Sequence, residues 1–168
     1  MFARCINTCL LLAFVGVAHA SERVPPDWPE VGRAKLEVLW FDIYNAALHA
    51  PEGVFAGFSA PLLLQVNYLR DFKGKDLVTE TDKQMQPFST QTQREQWLPQ
   101  LLNLWPDIKK GDQLAFEITP SGEGHFYYNQ RWLGVVSDPG FAEAFVKIWL
   151  ANESEYPELA SQLRGQNR

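Results

Sequence analysis

The sequence is poor in the residues that build most reactive sites. It has two cysteines in 168 residues, Cys5 and Cys9, and both lie in an N-terminal apolar segment that we expect to be removed. Without that segment the chain has no thiol, which excludes disulfides, thiolate metal ligands and a cysteine nucleophile. The processed chain has two histidines, His49 and His125, and they lack the spacing of a metal site. We therefore predict no metal and no cofactor.

Runs of basic residues are also missing. The chain has 15 lysines and arginines against 20 aspartates and glutamates, a formal net charge of −5. A mildly acidic chain without a basic stripe is a poor candidate for binding nucleic acid, so we predict no such partner. The segment Ser121–Gly124 contains two glycines, but it lies between two predicted antiparallel strands. This context favours a hairpin turn over a phosphate-binding loop.

The first twenty residues have the three parts of a secretory signal peptide. Arg4 supplies a positive charge, Ile6–Val17 is almost entirely apolar, and Ala18–Ala20 is a small-x-small cleavage site. We predict cleavage after Ala20, a periplasmic or secreted location and no transmembrane anchor. A buried N-terminal helix is the less favoured alternative. No cysteine follows the cleavage point, so lipid anchoring is not expected.

The rest of the chain divides into a short leader and one domain. Residues 21–31 are polar and rich in proline, which predicts an extended leader. Residues 32–165 contain no internal repeat or low-complexity segment, and their length suits a single domain with an adequate core.

The stretch from Gly32 to Pro51 is the one around which we expect the sheet to be organised. It opens with strict alternation of apolar and polar residues, which is the period of a half-buried strand. The phase slips at Leu39–Phe41, where three apolar residues follow one another. Because neither glycine nor proline marks this slip, it predicts one long, bulged or bent strand beside which the rest of the sheet is laid.

The other elements fall into groups along the chain. We predict a strand at Leu62–Arg70 and a helix from Asp76 to Met85. A second helix is predicted from about Ser89 to Trp105, with a kink or two abutting helices at Pro99. Its Trp97 and Trp105 are expected to pack against the sheet. A three-stranded meander at 113–137 and two further helices, from Asp138 and from Pro157, complete the order. Such grouping predicts an α+β fold, in which helices cover one face of an antiparallel sheet.

One polar pair stands out in this pattern. The apolar face of Leu62–Arg70 ends in Tyr68 and Arg70. A guanidinium on an apolar face is costly to desolvate unless an anion meets it, so we predict a ligand site at Arg70 and Tyr68, with Tyr44 lining the same pocket. The alternative is that Arg70 reaches out to solvent or pairs with a carboxylate of the chain, namely Asp42, Asp76 or Glu80.

Several segments together resemble the bacterial branch of the chalcone isomerase-like family. The similarity extends over nearly the whole predicted domain, and no single motif carries it. The segments are Gly32–Arg33, Leu39–Leu48, Tyr68–Asp71, Trp97–Pro99, Leu104–Asp107, Lys110–Asp112 and Phe141–Leu150. The resemblance implies an open-faced β-sandwich, a large antiparallel sheet with a layer of helices and a ligand cleft between them.

The resemblance also implies two kinds of function. Plant-type members cyclise a chalcone to a flavanone with an arginine and hydrogen-bonding Thr, Tyr, Lys and Asn residues, whereas others bind fatty acids without chemistry. This sequence has Asp42 where the enzyme's strand threonine is expected, and Asp76–Met85 does not match the enzyme's helix cluster.

We therefore expect a non-catalytic protein that binds a small amphipathic acid such as a fatty acid. Arg70 would meet its carboxylate, with Tyr68 and Tyr44 nearby. Two alternatives remain open: an isomerase of the intramolecular lyase type acting on an aromatic, chalcone-like substrate, and a protein-interaction module that has no ligand cavity.

The predicted processing is directly testable. N-terminal sequencing of the exported protein should begin at Ser21, because the apolar run ends in a small-x-small site at Ala18–Ala20. Recovery of a cytosolic protein that still begins at Met1 would contradict the prediction.

Overall fold

The computed structural model describes residues 23–166, so the predicted signal peptide and its cleavage site lie outside the described residues. Six strands form one antiparallel sheet in chain order: β1 (Glu30–Val38), β2 (Phe41–His49), β3 (Leu62–Tyr68), β4 (Gln113–Ile118), β5 (Gly124–Tyr128) and β6 (Arg131–Val136). Within the described part the helices are α1 (Gly74–Met85), α2 (Gln91–Leu104), α3 (Pro139–Leu150) and α4 (Pro157–Leu163). The predicted α+β architecture is confirmed.

The main core lies between the inner face of the sheet and the helices. Its centre is a group of phenylalanine rings, in which Phe145 of α3 lies 4.6 Å from Phe116 of β4 between ring centroids. Trp105, which follows α2, packs on Phe126 of β5 at 5.5 Å. Edge-to-face rings at these distances stabilise the core beyond the area they bury. The helical layer is therefore held to the sheet mainly by aromatic contacts.

The outer face of the sheet is covered in part by the leader. Trp28 packs with Trp132 on a small cluster of buried residues, which is separate from the main core. The Pro29 carbonyl accepts a hydrogen bond from the Ala50 N–H at 3.1 Å, and the Arg23 guanidinium lies 4.8 Å from the centroid of Trp132. The described part of the leader is thus an extended segment that packs on the sheet.

The prediction of one bent strand over Gly32–Pro51 was wrong. The stretch is a β-hairpin, in which β1 and β2 pair antiparallel across the two-residue turn Leu39–Trp40. The φ angles of Leu39 and Trp40 are 47° and 70°. Positive φ at both positions is the geometry of a type I′ turn, whose twist matches that of the flanking strands.

The turn escaped prediction because its residues are unusual for it. Type I′ turns prefer Asn-Gly, since a non-glycine residue in the left-handed region is strained. The β5–β6 turn, Asn129–Gln130, has almost the same φ angles, 48° and 69°, and its asparagine made it recognisable. The turn itself produces the slip at Leu39–Phe41 in the apolar pattern. A bulge at Ile43, opposite the Leu36–Glu37 step, adds one residue to β2 and returns the apolar residues to even positions from Tyr44 onward.

Two element ends also differ from the prediction, and the alternative of two abutting helices at Pro99 is excluded. Helix α1 begins at Gly74 instead of Asp76, because the Asp107 carboxylate accepts a hydrogen bond from the Gly74 N–H at 3.0 Å. Helix α2 runs as one helix through Pro99, and strand β3 ends at Tyr68, two residues before Arg70. Each end is set by a partner distant in the sequence or by strand pairing, which local spacing does not report.

The hairpin turn provides a test of backbone strain. The double variant Leu39→Asn plus Trp40→Gly should raise the free energy of unfolding by about 1–2 kcal/mol, because it replaces two residues that are strained at positive φ. Chemical denaturation measures the change. The control Leu39→Ala plus Trp40→Ala removes the same side chains but keeps the strain, so it should show no gain. A loss of stability in the Asn-Gly variant would mean that the native side chains stabilise the hairpin.

Candidate ligand-binding site

A cavity of about 360 Å³ lies between the inner face of the sheet and the helices. Strands β1 to β5 form one wall, and helices α1 and α3, with Trp105, contribute the other. Its surface is mainly apolar, with the deepest part formed by Leu64, Val66, Leu114, Phe116, Phe126, Phe145 and Ile148. A water-lined polar site is therefore excluded, and the cavity fits an apolar group.

The charged side chains that line the cavity are both carboxylates, Asp76 and Glu80 of α1. Asp76, Glu80 and Gln84 recur every four residues along α1, so they lie on one face of the helix, and all three line the cavity. Asp76 and Glu80 are exposed to solvent. Among the described residues that line the cavity, none is a lysine, arginine or histidine. This side of the opening therefore disfavours an anionic group.

Tyr44 and Tyr68 lie side by side on neighbouring strands, where they form a cross-strand pair. Their rings meet edge to face with centroids 6.2 Å apart, and Phe72 packs on the other side of Tyr68 at 5.5 Å. Both tyrosines line the cavity, and burial raises the pKa of each hydroxyl above its ordinary value. Both are therefore neutral groups that can donate a hydrogen bond.

The two hydroxyls differ in what they contact. Trp149 lies close enough to the Tyr44 hydroxyl to oppose the effect of burial on its pKa. The Tyr68 hydroxyl has no hydrogen-bond partner among the residues that the structure describes, although Tyr68 is only 6% exposed. Tyr68 lines the cavity, so this hydroxyl can donate its proton to a ligand there.

Trp105 supplies a second unpaired donor. Its ring lines the cavity, and its indole N–H is buried without a partner in the described structure. The sequence predicted Trp105 and Trp97 as core residues packed against the sheet. Trp105 does contact β5, whereas the closest ring to Trp97 is Phe141 of α3, at 5.5 Å. Helical spacing predicts burial but cannot predict an unpaired N–H, so the site role of Trp105 was missed.

Arg70 lies outside the cavity wall. It is exposed beyond the end of β3, and its guanidinium carbon is 4.5 Å from the ring centroid of Phe41. It makes no ion pair with any described residue; Asp42, one of the predicted partners, is bound to Lys35 at 2.6 Å instead. Thus Tyr44 and Tyr68 come together in the cavity, and Arg70 lies in the chain between two lining residues, Tyr68 and Phe72.

Residues 23–166 show neither a metal cluster nor a membrane-spanning helix. No group of three or more His, Cys, Asp or Glu side chains there could hold a metal ion. Over the same residues, no helix combines the length and apolar composition that a membrane crossing requires.

Fold and cavity together define a class of protein, the open-faced β-sandwiches that enclose an apolar cleft between an antiparallel sheet and a helical layer. The model of the chalcone isomerase-like family matches residues 32–165. The chain belongs to this family, as its sequence motifs had predicted.

Two known proteins illustrate the relationship. An uncharacterised protein of Haemophilus influenzae is 28% identical over 144 residues, which are 84% of this chain and 70% of that protein. The crystal structure of a fatty-acid binding protein of Arabidopsis thaliana superposes with a TM-score of 0.63, covering 87% of this chain and 88% of the plant chain. At 9% identity, this second likeness establishes the shared fold alone.

A matched pair of tyrosine variants tests the unpaired hydroxyl. Tyr68→Phe should change the free energy of unfolding of the ligand-free protein by less than about 0.5 kcal/mol, since no hydrogen bond is lost. Tyr127→Phe, on the outer face, removes a buried 2.6 Å hydrogen bond to Glu117 and should cost about 1–3 kcal/mol. Thermal or chemical denaturation compares the two. Equal losses would show that the Tyr68 hydroxyl is paired in the folded protein.

Proposed function

We propose that this protein binds, without chemistry, an amphipathic molecule with a long apolar tail, the simplest candidate being a fatty acid. The observation that carries the proposal is the apolar cavity. Its volume of about 360 Å³ lies within the range of about 300–1,000 Å³ that ligand pockets occupy. Family membership and the shared fold with a plant fatty-acid binding protein support the same function.

The tail supplies most of the expected affinity. Each methylene group that leaves water for the cavity contributes about 0.8 kcal/mol. The buried Trp105 N–H is an unpaired donor, and the neutral Tyr68 hydroxyl in the same wall can also donate. Both favour a ligand with an acceptor such as a carbonyl or carboxylate oxygen. Tyr44, beside Tyr68, is proposed as a further contact.

The polar end of the ligand is proposed to meet Arg70. The carboxylates of Asp76 and Glu80 repel an anion on the α1 side of the opening. Arg70 is the cation that follows β3, and its guanidinium lies on Phe41 without a carboxylate partner among the described residues. A fatty acid would thus leave the cavity on the strand side, where charge-assisted hydrogen bonds from Arg70 would orient its head group.

The two alternatives receive less support. Chalcone cyclisation needs donors or cations arranged around a reacting phenolate. Asp42, at the position of the expected threonine, is exposed and paired with Lys35, and the described cavity wall carries carboxylates but no cation. A pure interaction module was expected to have no cavity, and a cavity is present. Export to the periplasm or outside is proposed on the pattern of Met1–Ala20 alone.

Titration calorimetry with a long-chain acid and the matching alcohol tests this function. The acid should bind with measurable heat, and Arg70→Ala should weaken it by about tenfold to a hundredfold, because charged hydrogen bonds are worth about 1.5–3 kcal/mol. The alcohol should be nearly unaffected. Arg131→Ala, which removes an exposed arginine from β6, is the matched control and should leave both affinities unchanged.

Two results would count against the proposal. If neither acid nor alcohol binds the wild-type protein, the cavity does not take an aliphatic tail. If Arg70→Ala weakens acid and alcohol equally, Arg70 supports the fold and does not meet the carboxylate. Saturable acceleration of hydroxychalcone cyclisation, lost in Arg70→Ala, would favour the isomerase instead.

A further inference from the structure

The turn between β1 and β2 exposes three consecutive apolar side chains. Leu39 is 79% exposed, Trp40 is 99% exposed and Phe41 is 55% exposed. We call Leu39–Phe41 the hairpin tip. Elsewhere in the described chain, large apolar residues with comparable exposure occur singly, at Val24, Val54 and Leu102. Scattered exposed residues are ordinary, whereas a contiguous apolar group marks an interaction surface.

Stability of the fold does not account for these residues. Leu39 and Trp40 occupy the two positive-φ positions of the turn, where a type I′ hairpin favours Asn-Gly. The β5–β6 turn has the same geometry and uses the polar pair Asn129–Gln130. The hairpin tip therefore combines backbone strain with exposed apolar area, and both are unfavourable for an isolated molecule in water.

The hairpin tip is continuous with the cavity. Phe41 pairs with Val38 across the hairpin, and Val38 lines the cavity together with Ile43. The same side of the molecule carries Arg70, whose guanidinium stacks on Phe41. An apolar surface thus leads from the exposed Trp40 ring to the cavity wall over a few residues.

The chemistry of the hairpin tip matches the boundary of a lipid bilayer. Tryptophan prefers this boundary because its ring is apolar and its N–H is polar, and an arginine beside it can reach the head groups. Close to the turn, the Lys35 ammonium forms ion pairs with Glu37 at 2.8 Å and with Asp42 at 2.6 Å. With Arg70, these formal charges cancel, so apolar burial and not charge should drive binding.

A protein partner fits the hairpin tip less well. A stable protein interface needs about 800 Å² from each partner. Three side chains of at most about 150–250 Å² each fall short of that area, even if all were fully buried. A convex, two-residue turn is instead suited to shallow insertion between lipid head groups.

We propose that the hairpin tip inserts into the interfacial layer of a lipid bilayer and holds the cavity opening against the membrane. This docking goes beyond the proposed binding of an amphipathic ligand and does not depend on it. If both hold, a lipid-like ligand passes between bilayer and cavity without crossing bulk water.

Co-sedimentation with phosphatidylcholine vesicles tests the docking. The wild-type protein should bind, with little dependence on salt, because the local charge is balanced. Leu39→Asn plus Trp40→Gly should weaken partitioning by at least about tenfold, since burying a single large apolar side chain accounts for that much. Leu39→Ala plus Trp40→Ala should weaken it similarly, although the two variants differ in backbone strain. Val54→Ser and Leu102→Ser, which remove single exposed apolar residues elsewhere, should bind like the wild type.

All variants carry the same N-terminus, so the segment Met1–Ala20 contributes equally wherever it is retained. Vesicles with brominated acyl chains give a local readout: they should quench the wild type more strongly than Trp40→Phe, and the difference reports the Trp40 ring itself. Neither Leu39 nor Trp40 lines the cavity, so calorimetry with a soluble acid measures ligand binding separately.

Three outcomes would overturn the proposal. The wild-type protein fails to bind vesicles, or the Asn-Gly variant binds as tightly as the wild type. The third outcome is a dimer that analytical ultracentrifugation detects without lipid and that is lost in the Asn-Gly variant. That result would make the hairpin tip a self-association surface.

Discussion

The packing of α3 on the middle of the sheet is the contact on which the rest of the structure depends. Phe141 and Phe145 of α3 form a stack, and Phe145 meets Phe116 at 4.6 Å and Phe126 at 5.3 Å. Because these rings are large and rigid, they fix the helical layer over β4 and β5. Phe145 also lines the cavity. Phe145 therefore belongs both to the aromatic core and to the cavity wall.

The cavity lowers the stability of the fold as well as offering a binding site. A well-packed interior has few voids larger than a water molecule, and a buried donor without a partner costs about 1–3 kcal/mol. Both occur in the cavity wall, where the buried Trp105 N–H lies unpaired, as the Trp97 N–H does elsewhere in the core. A ligand with an apolar tail and one acceptor removes both costs, so the proposed function also accounts for a local weakness of the core.

The hairpin tip is a second place where local structure works against stability. Leu39 and Trp40 are strained by their backbone and exposed by their position. Strain of this kind persists only where the surrounding structure enforces it, and it tends to cluster at functional sites. Val38, which pairs with Phe41 across the hairpin, lines the cavity, so the hairpin tip is adjacent to the cavity wall.

The sequence by itself determined the layer architecture, because alternation and helical spacing report which faces are buried. It also suggested Tyr68, from its place on an apolar strand face, and Tyr44 as pocket residues; both lie in the cavity wall, and their contact with a ligand stays a prediction. Tertiary structure decided the rest. The β1–β2 turn lacks the glycine or asparagine that usually marks such a turn. The start of α1 depends on a carboxylate 33 positions away. The position of Arg70 depends on where β3 ends. Local patterns record burial, whereas strand pairing and distant hydrogen bonds decide which polar atoms stay unpaired in a cavity.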